Sequence, residues 1–378
     1  MAAQLNGSQV NQTPVKANTS SSEKSLFSHQ FSSLSLTDHT SSMETCFAAF
    51  DVDRDGYLDN AEFGELCRAL FRNEQDQPYP VDPKRLRDMF DIFDINQDGR
   101  IDAKEFELCW QKWIRKIVRP VSALVVVDVQ NDFISGSLSI SNCPAQHNGE
   151  EVVEPINRLL DTVEFDCVYY SLDWHPENHV SFIDNVTQRK LHESSEIRDS
   201  KDAKTYDTVT FEGPPPFRQK LWPRHCVQNS WGAKLHENLK IVEGSPFIYK
   251  GTNPEVDSYS AFWDNSKLSA TALSSELMGK GVTDCYICGI ATDYCVGATA
   301  CHSVELGYRT ILISDASRGI TLEDIEDTKQ KLMDGHGVVI NSDEVKPMVQ
   351  GRDRRPELGL KLALEIKKQI KQMETEKS

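Results

Sequence analysis

Three apolar runs end on residues that could carry out a hydrolysis. "ALVVVDVQ" places Asp128 at the end of a β-branched stretch, "PFIYKG" ends on Lys250, and "DCYICGIA" leads through Thr-Asp-Tyr to Cys295. Taken singly, each has a plain reading: Asp128 as an acid capping a loop, Lys250 as a solvated strand end, Cys295 as one small apolar thiol among ten. Together they make a hydrolytic set. The acid accepts the thiol proton, the ammonium favours the thiolate, and the thiolate attacks a carbonyl. A position at a helix start is expected to lower the Cys295 pKa. The backbone N–H groups of Ala291 and Cys295 are the expected receivers of the developing oxyanion.

A second group of residues suits a metal. "DWH" sets Asp173 and His175 at alternate positions, on one side of a strand end. "WPRHC" adds His225. One carboxylate and two imidazoles suit Zn2+, or another divalent transition metal, with positions left for water and a ligand. His179 reads either as a further ligand or as a neighbour that orients one. Cys285 and Cys288 spell C-x-x-C, but within one strand they face opposite ways, and Cys226 reads as packing.

Two twelve-residue stretches carry hard oxygen donors at fixed intervals. In "DVDRDGYLDNAE", Asp51, Asp53 and Asp55 stand at positions 1, 3 and 5, the Tyr57 carbonyl at 7 and Glu62 at 12, with Asp59 at 9 acting through water. "DINQDGRIDAKE" repeats this with Asp94, Asn96, Asp98, Arg100, Asp102 and Glu105. Gly56 and Gly99 at position 6 permit the sharp turn, and Leu58 and Ile101 at position 8 suit back-to-back pairing. The two stretches resemble the EF-hand family closely and imply Ca2+ at both loops.

These groups need a scaffold, and the remaining pattern supplies one. The runs "ALVVVDVQ", "DCVYYSLDWH", "PFIYKG", "DCYICGIA", "RTILISDA" and "GVVINS" predict six strands. Amphipathic stretches at 150–163, 266–280, 294–306 and 321–335 predict helices between them. Alternation of this kind predicts an α/β fold: a three-layer, parallel-sheet hydrolase domain over 121–345, entered just after Pro120. An all-α EF-hand pair over 41–118 precedes it. Residues 1–40, rich in Ser, Asn, Gln and Thr, read as a disordered tail. The polar stretch at about 184–220 reads as a surface excursion with little order. Residues 346–378, ending in "LGLKLALEIKKQIKQMETEKS", read as a basic amphipathic helix packed on the sheet, with membrane or partner docking the minor reading.

Bulk properties narrow the function further. A chain of 378 residues is too long for one core. A formal charge of −17 argues against nucleic acid and anionic membrane as partners. No apolar run approaches the roughly 20 residues that a membrane span needs. The N-terminal stretch has no apolar core, so no secretory leader is expected, and the ten cysteines read as reduced thiols. The location expected is cytoplasmic, or cytoplasmic and nuclear. A homo-oligomer stays open.

"VVVDVQNDF", "DWHPENHVSF", "LWPRHCVQNSWGA", "YKGTNPEVDSYSAF" and "GIATDYCV" follow one another over about residues 120–345. In that order they resemble the nicotinamidases of the isochorismatase-like cysteine hydrolase superfamily. The resemblance implies hydrolysis of nicotinamide to nicotinate and ammonia, feeding NAD salvage, by a triad of Asp128, Lys250 and Cys295 through a cysteine thioester. It implies that the metal at Asp173, His175 and His225 holds the pyridine nitrogen and that a cis peptide falls at Ile290–Ala291. It also places Phe133, Trp222 and Tyr259 around the ring, although each also suits a plain core. Two readings stand beside it. One is a related amidohydrolase acting on a different amide. The other is a calcium-binding scaffold with an inactive hydrolase domain, against which the complete triad counts. The EF-hand pair is expected to stabilise or position the catalytic domain.

Overall fold

The computed structural model describes residues 39–376; of the tail expected at 1–40, residues 1–38 lie outside them. Helices α1 (His39–Phe50) and α2 (Asn60–Leu70) flank the first acidic loop, and α3 (Pro83–Phe93) and α4 (Ala103–Cys109) flank the second. The last of these runs on through a widened turn, Trp110–Ile114, into Arg115–Val118. Capping explains where they begin. The Asp59 carboxylate accepts from the N–H groups of Ala61 and Glu62, while Glu62 accepts from that of Asp59, and Asp102 with Glu105 repeats the exchange. Asp82 caps α3, with Pro83 as its first residue. Leu58 and Ile101 exchange both backbone hydrogen bonds at 2.9 Å, which pairs the loops. Beneath them the rings of Phe63, Phe93 and Trp113 meet at centroid distances of 5.1 to 6.2 Å.

The larger region contains strands β1 (Ser122–Val127), β2 (Cys167–Asp173), β3 (Thr208–Phe211), β4 (Phe217–Lys220), β5 (Phe247–Lys250), β6 (Asp284–Ile290), β7 (Arg309–Arg318) and β8 (Val338–Ile340). Six of them form one parallel sheet in the order β5-β2-β1-β6-β7-β8, while β3 and β4 pair as an antiparallel hairpin. All six anticipated strands are in that sheet. Alternation along β1 sends Leu124 and Val126 into one core, and Ala123, Val125 and Val127 into the other. The first core is covered by α5 (Val153–Thr162), through Val153, Ile156 and Leu159. The second is covered by α6 (Leu273–Gly279), α7 (Gly297–Glu305) and α8 (Leu322–Asp334), through Leu273, Leu277, Ala300 and Leu332. Cys288 lies in the first core and Cys285 in the second, so the C-x-x-C pair does face opposite ways. All ten cysteines are free thiols. Among the described residues no helix is long and apolar enough to cross a membrane.

Three expectations need correction. The helix expected at 266–280 starts only at Leu273. Upstream, the Asp264 carboxylate takes the N–H groups of Ser266, Leu268 and Ser269, which fixes a loop in place of a first helical turn. The stretch at 184–220 is not a loose excursion. It holds the β3–β4 hairpin over a small core of its own, with Val180, Val186, Val209, Phe211 and Leu221. The C-terminal helix, α9 (Pro356–Thr375), does not lie mainly on the sheet. Only Leu358 joins a sheet core, whereas Leu360, Leu362, Ala363 and Ile366 are buried in the core of the EF-hand pair.

That last contact joins the two regions. Trp113 Nε1 donates to the Gly359 carbonyl at 2.8 Å, Tyr79 donates to Asp353 at 2.9 Å, and Arg85 pairs with Glu357 at 2.9 Å. On the other side Arg309, at the start of β7, donates to the Lys116 carbonyl at 2.9 Å and pairs with Asp284. The EF-hand pair thus grips both the start of β7 and helix α9.

Candidate active site

Strand order reverses beside β1: β2 and β5 lie to one side, and β6, β7 and β8 to the other. In open parallel sheets the crevice beyond the carboxyl ends at such a point is where ligands bind. Asp128 follows β1 at a positive φ of 50°, Lys250 ends β5, and Cys295 follows β6 in a widened turn, Thr292–Val296, that leads into α7. The three expected residues meet there, all buried. Lys250 Nζ lies 2.8 Å from Asp128 Oδ2, donates to Cys295 Sγ at 3.2 Å and to the Ser258 carbonyl at 3.0 Å, and pairs with Asp173 Oδ1. Ser171 donates to Asp128 Oδ1 at 2.6 Å. Sγ and the carboxylate oxygens of Asp128 and Asp173 lie within 4.8 Å of one another.

The electrostatics correct one expectation. Burial pushes the Cys295 thiol well up and outweighs the pull of Lys250, so the thiol rests protonated despite its place before a helix. Burial likewise pushes Asp128 up against the pull of Lys250. For Lys250 burial alone would lower the pKa, but Asp128 and Asp173 hold the ammonium well above its usual range. The resting set is therefore a thiol, a fixed ammonium and a carboxylate of raised basicity.

On the other side of Asp173, two imidazoles converge. His175 Nδ1 meets the Gly251 carbonyl at 2.9 Å, and His225 Nδ1 meets the Pro223 carbonyl at 2.7 Å. A carbonyl only accepts, so each ring keeps a proton on Nδ1 and turns Nε2 inward. These nitrogens face Asp173 Oδ2 at 3.4 and 3.7 Å. One carboxylate oxygen and two imidazole nitrogens, all within 4.8 Å of one another, fit a divalent cation. His179 adds to the fit. It is buried, its Nε2 has no hydrogen-bond partner, and it clusters with His175 and Asp257. Burial holds it well below the usual histidine range, which keeps it neutral. Gly251, at a φ of 63°, makes the seat: a Cβ there would fall 2.3 Å from the His175 ring.

Beside the thiol lies a pocket lined by Phe133, Trp222, Tyr259, Ala291 and Tyr294. All three aromatic residues expected around a ring are in the lining. Ala291 follows a cis peptide, Ile290–Ala291, at the position expected. Trp222 Nε1 donates to Tyr259 Oη at 3.3 Å, and the Tyr294 ring stands edge-on to both, with centroids 5.0 and 5.5 Å away. Tyr294 and Asp257 also line the pocket and escaped the sequence reading. For Tyr294 the signal was adjacency to the candidate nucleophile. Asp257, one acid within a polar loop, gave none.

The acidic loops have a different character. Asp51 accepts from the N–H groups of Asp55 and Gly56 at 3.1 Å, and Asp94 repeats this with Asp98 and Gly99 at 3.1 and 3.0 Å. Glu62 reaches back to the Val52 N–H at 2.7 Å, and Glu105 to that of Ile95 at 2.9 Å. Asp51, Asp53 and Glu62 gather their donor oxygens within 4.8 Å, which fits a hard cation. Asp55 pairs instead with Arg100 of the second loop at 3.2 Å.

Residues 122–344 match the family model described as the isochorismatase domain, and residues 40–109 match that of the EF-hand domain pair. The nicotinamidase of Escherichia coli (strain K12) is 37% identical over 206 residues, covering 54% of this chain and 86% of that protein. The nicotinamidase of Saccharomyces cerevisiae is 34% identical over 213 residues, covering 53% and 89%. Among solved structures, the Acinetobacter baumanii nicotinamidase/pyrazinamidase is similar at 34% identity with a TM-score of 0.51, covering 60% of this chain and 98% of that one.

Proposed function

The chain belongs to the isochorismatase domain family, and from that premise we propose that it is a nicotinamidase, hydrolysing nicotinamide to nicotinate and ammonia for NAD salvage in the cytoplasm. The observation that carries this reading is the aromatic pocket that Cys295 lines on one side and Asp173 and His225 on another. An amide-bearing aromatic ring fits that space with its carbonyl over Sγ.

Asp128 takes the Sγ proton as sulfur attacks the amide carbon, and the ammonium of Lys250 stabilises the charge that develops on sulfur. The backbone N–H groups of Ala291 and Cys295 receive the carbonyl oxygen as it becomes an oxyanion. When the C–N bond breaks, Asp128 passes its proton to the nitrogen, which leaves as ammonia, and a thioester remains on Cys295. Water then gives a proton to Asp128 and attacks the thioester. Sulfur leaves, recovers the proton, and nicotinate is released. Asp173, His175 and His225, with His179 beside them, would hold zinc or another divalent transition metal. When bound, that ion supplies a Lewis-acidic point for the pyridine nitrogen. Phe133, Trp222 and Tyr259 enclose the ring.

The acidic loops hold calcium through Asp51, Asp53, Asp55, Glu62 and the Tyr57 carbonyl, and through Asp94, Asn96, Asp98, Glu105 and the Arg100 carbonyl. Their domain positions the catalytic domain by gripping α9 and β7. The deciding measurement is ammonia release from nicotinamide by the intact protein and by Cys295→Ala, with zinc and calcium supplied. Release by the intact protein alone is the expected result. Release by the variant would overturn the mechanism, and release by neither would move the substrate to a different amide.

A further inference from the structure

The pocket described above is not closed by the sheet's own loops alone. Its outer aromatic residues are held by the β3–β4 hairpin, and one side chain does most of the holding. Lys220, the last residue of β4, donates from Nζ to Tyr294 Oη at 2.8 Å. The same ammonium lies over two rings, 5.1 Å from the centroid of Trp222 and 5.4 Å from that of Tyr294. Those rings meet edge-on at 5.0 Å, and both line the pocket. Trp222 stands two residues beyond Lys220, so an extended chain points both the same way. Tyr294 stands immediately before the nucleophile.

The rest of the hairpin region supports the same grip. Gln219 is buried and donates to Asp257 Oδ2, which also lines the pocket, at 2.9 Å. Tyr206, just before β3, packs edge-on to Trp222 at 5.9 Å. A charged donor that both hydrogen-bonds one ring and faces the quadrupole of the next fixes their mutual angle. That angle sets the width of the slot that a flat heteroaromatic ring must enter.

We propose that Lys220 is a positioning residue that fixes the width of the aromatic slot by holding Tyr294 against Trp222, so that the hairpin sets the selectivity of the site for flat six-membered rings. The proposal rests on the nicotinamidase reading for its substrate, but its geometry can be read without one.

The test compares wild type with Lys220→Met, Lys220→Arg, Tyr294→Phe and the Lys220→Met/Tyr294→Phe pair, all as the full chain with both metals supplied. For nicotinamide, Lys220→Met is expected to raise KM about tenfold with kcat within about twofold, because ground-state fit is lost and the reacting groups are untouched. Lys220→Arg restores KM to within about threefold, since its guanidinium also donates and stacks. In the pair, the second substitution adds less than about twofold to KM, since both remove one interaction. Independently of turnover, the Tyr294 signal in the 19F spectrum of fluorotyrosine-labelled protein, assigned by its loss in Tyr294→Phe, shifts in Lys220→Met and returns in Lys220→Arg. An unshifted signal, or effects that multiply in the pair, would overturn the proposal. If the wild type releases no ammonia while the fluorine signal moves as stated, the substrate reading fails and the positioning role stands. Should Lys220→Met not fold, Lys220→Ala takes its place in the same spectrum: a Tyr294 signal shifted from its wild-type position supports the proposal, and an unshifted one overturns it.

Discussion

The acidic loops and the buried pocket both collect carboxylates to meet a cation, yet they pay for those charges differently. Each loop draws its donors from twelve consecutive residues, leaves most of them in water, and settles the rest on its own N–H groups, as Asp51 does with Asp55 and Gly56. The pocket draws on Asp128, Asp173, Lys250 and Cys295, which lie at or just beyond the ends of four strands and are all buried. There each charge depends on another from a distant part of the chain. Lys250 is the common partner of both carboxylates and of the thiol. A local site in water is robust and adjustable, whereas a dispersed site out of water fails as a unit.

The sharpest way to break this contrast is Asp128→Asn. Removing the base while keeping its shape is expected to lower kcat by about 10²–10⁴, the usual weight of general acid–base catalysis, and to leave calcium binding by titration calorimetry unchanged. A loss of less than tenfold would show that the pocket does not act as a unit. Next in size is the join between the two regions. Leu360→Ala empties a buried position in the EF-hand core and is expected to cost about 2–5 kcal/mol in denaturant unfolding, with weaker calcium binding and kcat retained in the folded fraction. Calcium affinity unmoved by this change would mean that α9 and the loops are energetically separate.

The smallest effect concerns pH. Burial would raise the Glu365 carboxyl on α9, but Lys361 and Lys368 outweigh it and hold the pKa below the ordinary value. A folded pKa below the unfolded one adds stability above the unfolded value, and that increment is lost as pH falls through the folded value. Glu365→Gln is therefore expected to melt slightly lower than wild type at pH 7 and to match it in acid below both values. A gap that persists there would assign the effect to packing.

What the sequence made legible follows the same division between local and dispersed. The calcium loops and the six strands were readable because spacing and apolar runs lie within a dozen residues. The meeting of Asp128, Lys250 and Cys295 was readable because each ends or shortly follows such a run. The partner of α9 was not, since an amphipathic pattern shows that one face is buried without saying against what. Leu358 and Leu360, two residues apart, enter different cores. The 184–220 stretch hid its hairpin because Val209 and Phe211 alternate over only four residues. The thiol's raised pKa was hidden too, because burial is a property of the assembled site and not of a helix start.

The placement of α9 also has a consequence for the order in which the molecule can be made. The EF-hand helices are the first of the described segments to leave the ribosome, but the groove beneath Phe71 and Trp113 is filled by Leu360, Leu362 and Ile366, which are among the last. Contacts this far apart in sequence form late, after the intervening sheet has brought the ends together. Among the described segments, the domain translated earliest is thus the one finished latest, sealed only when α9 arrives.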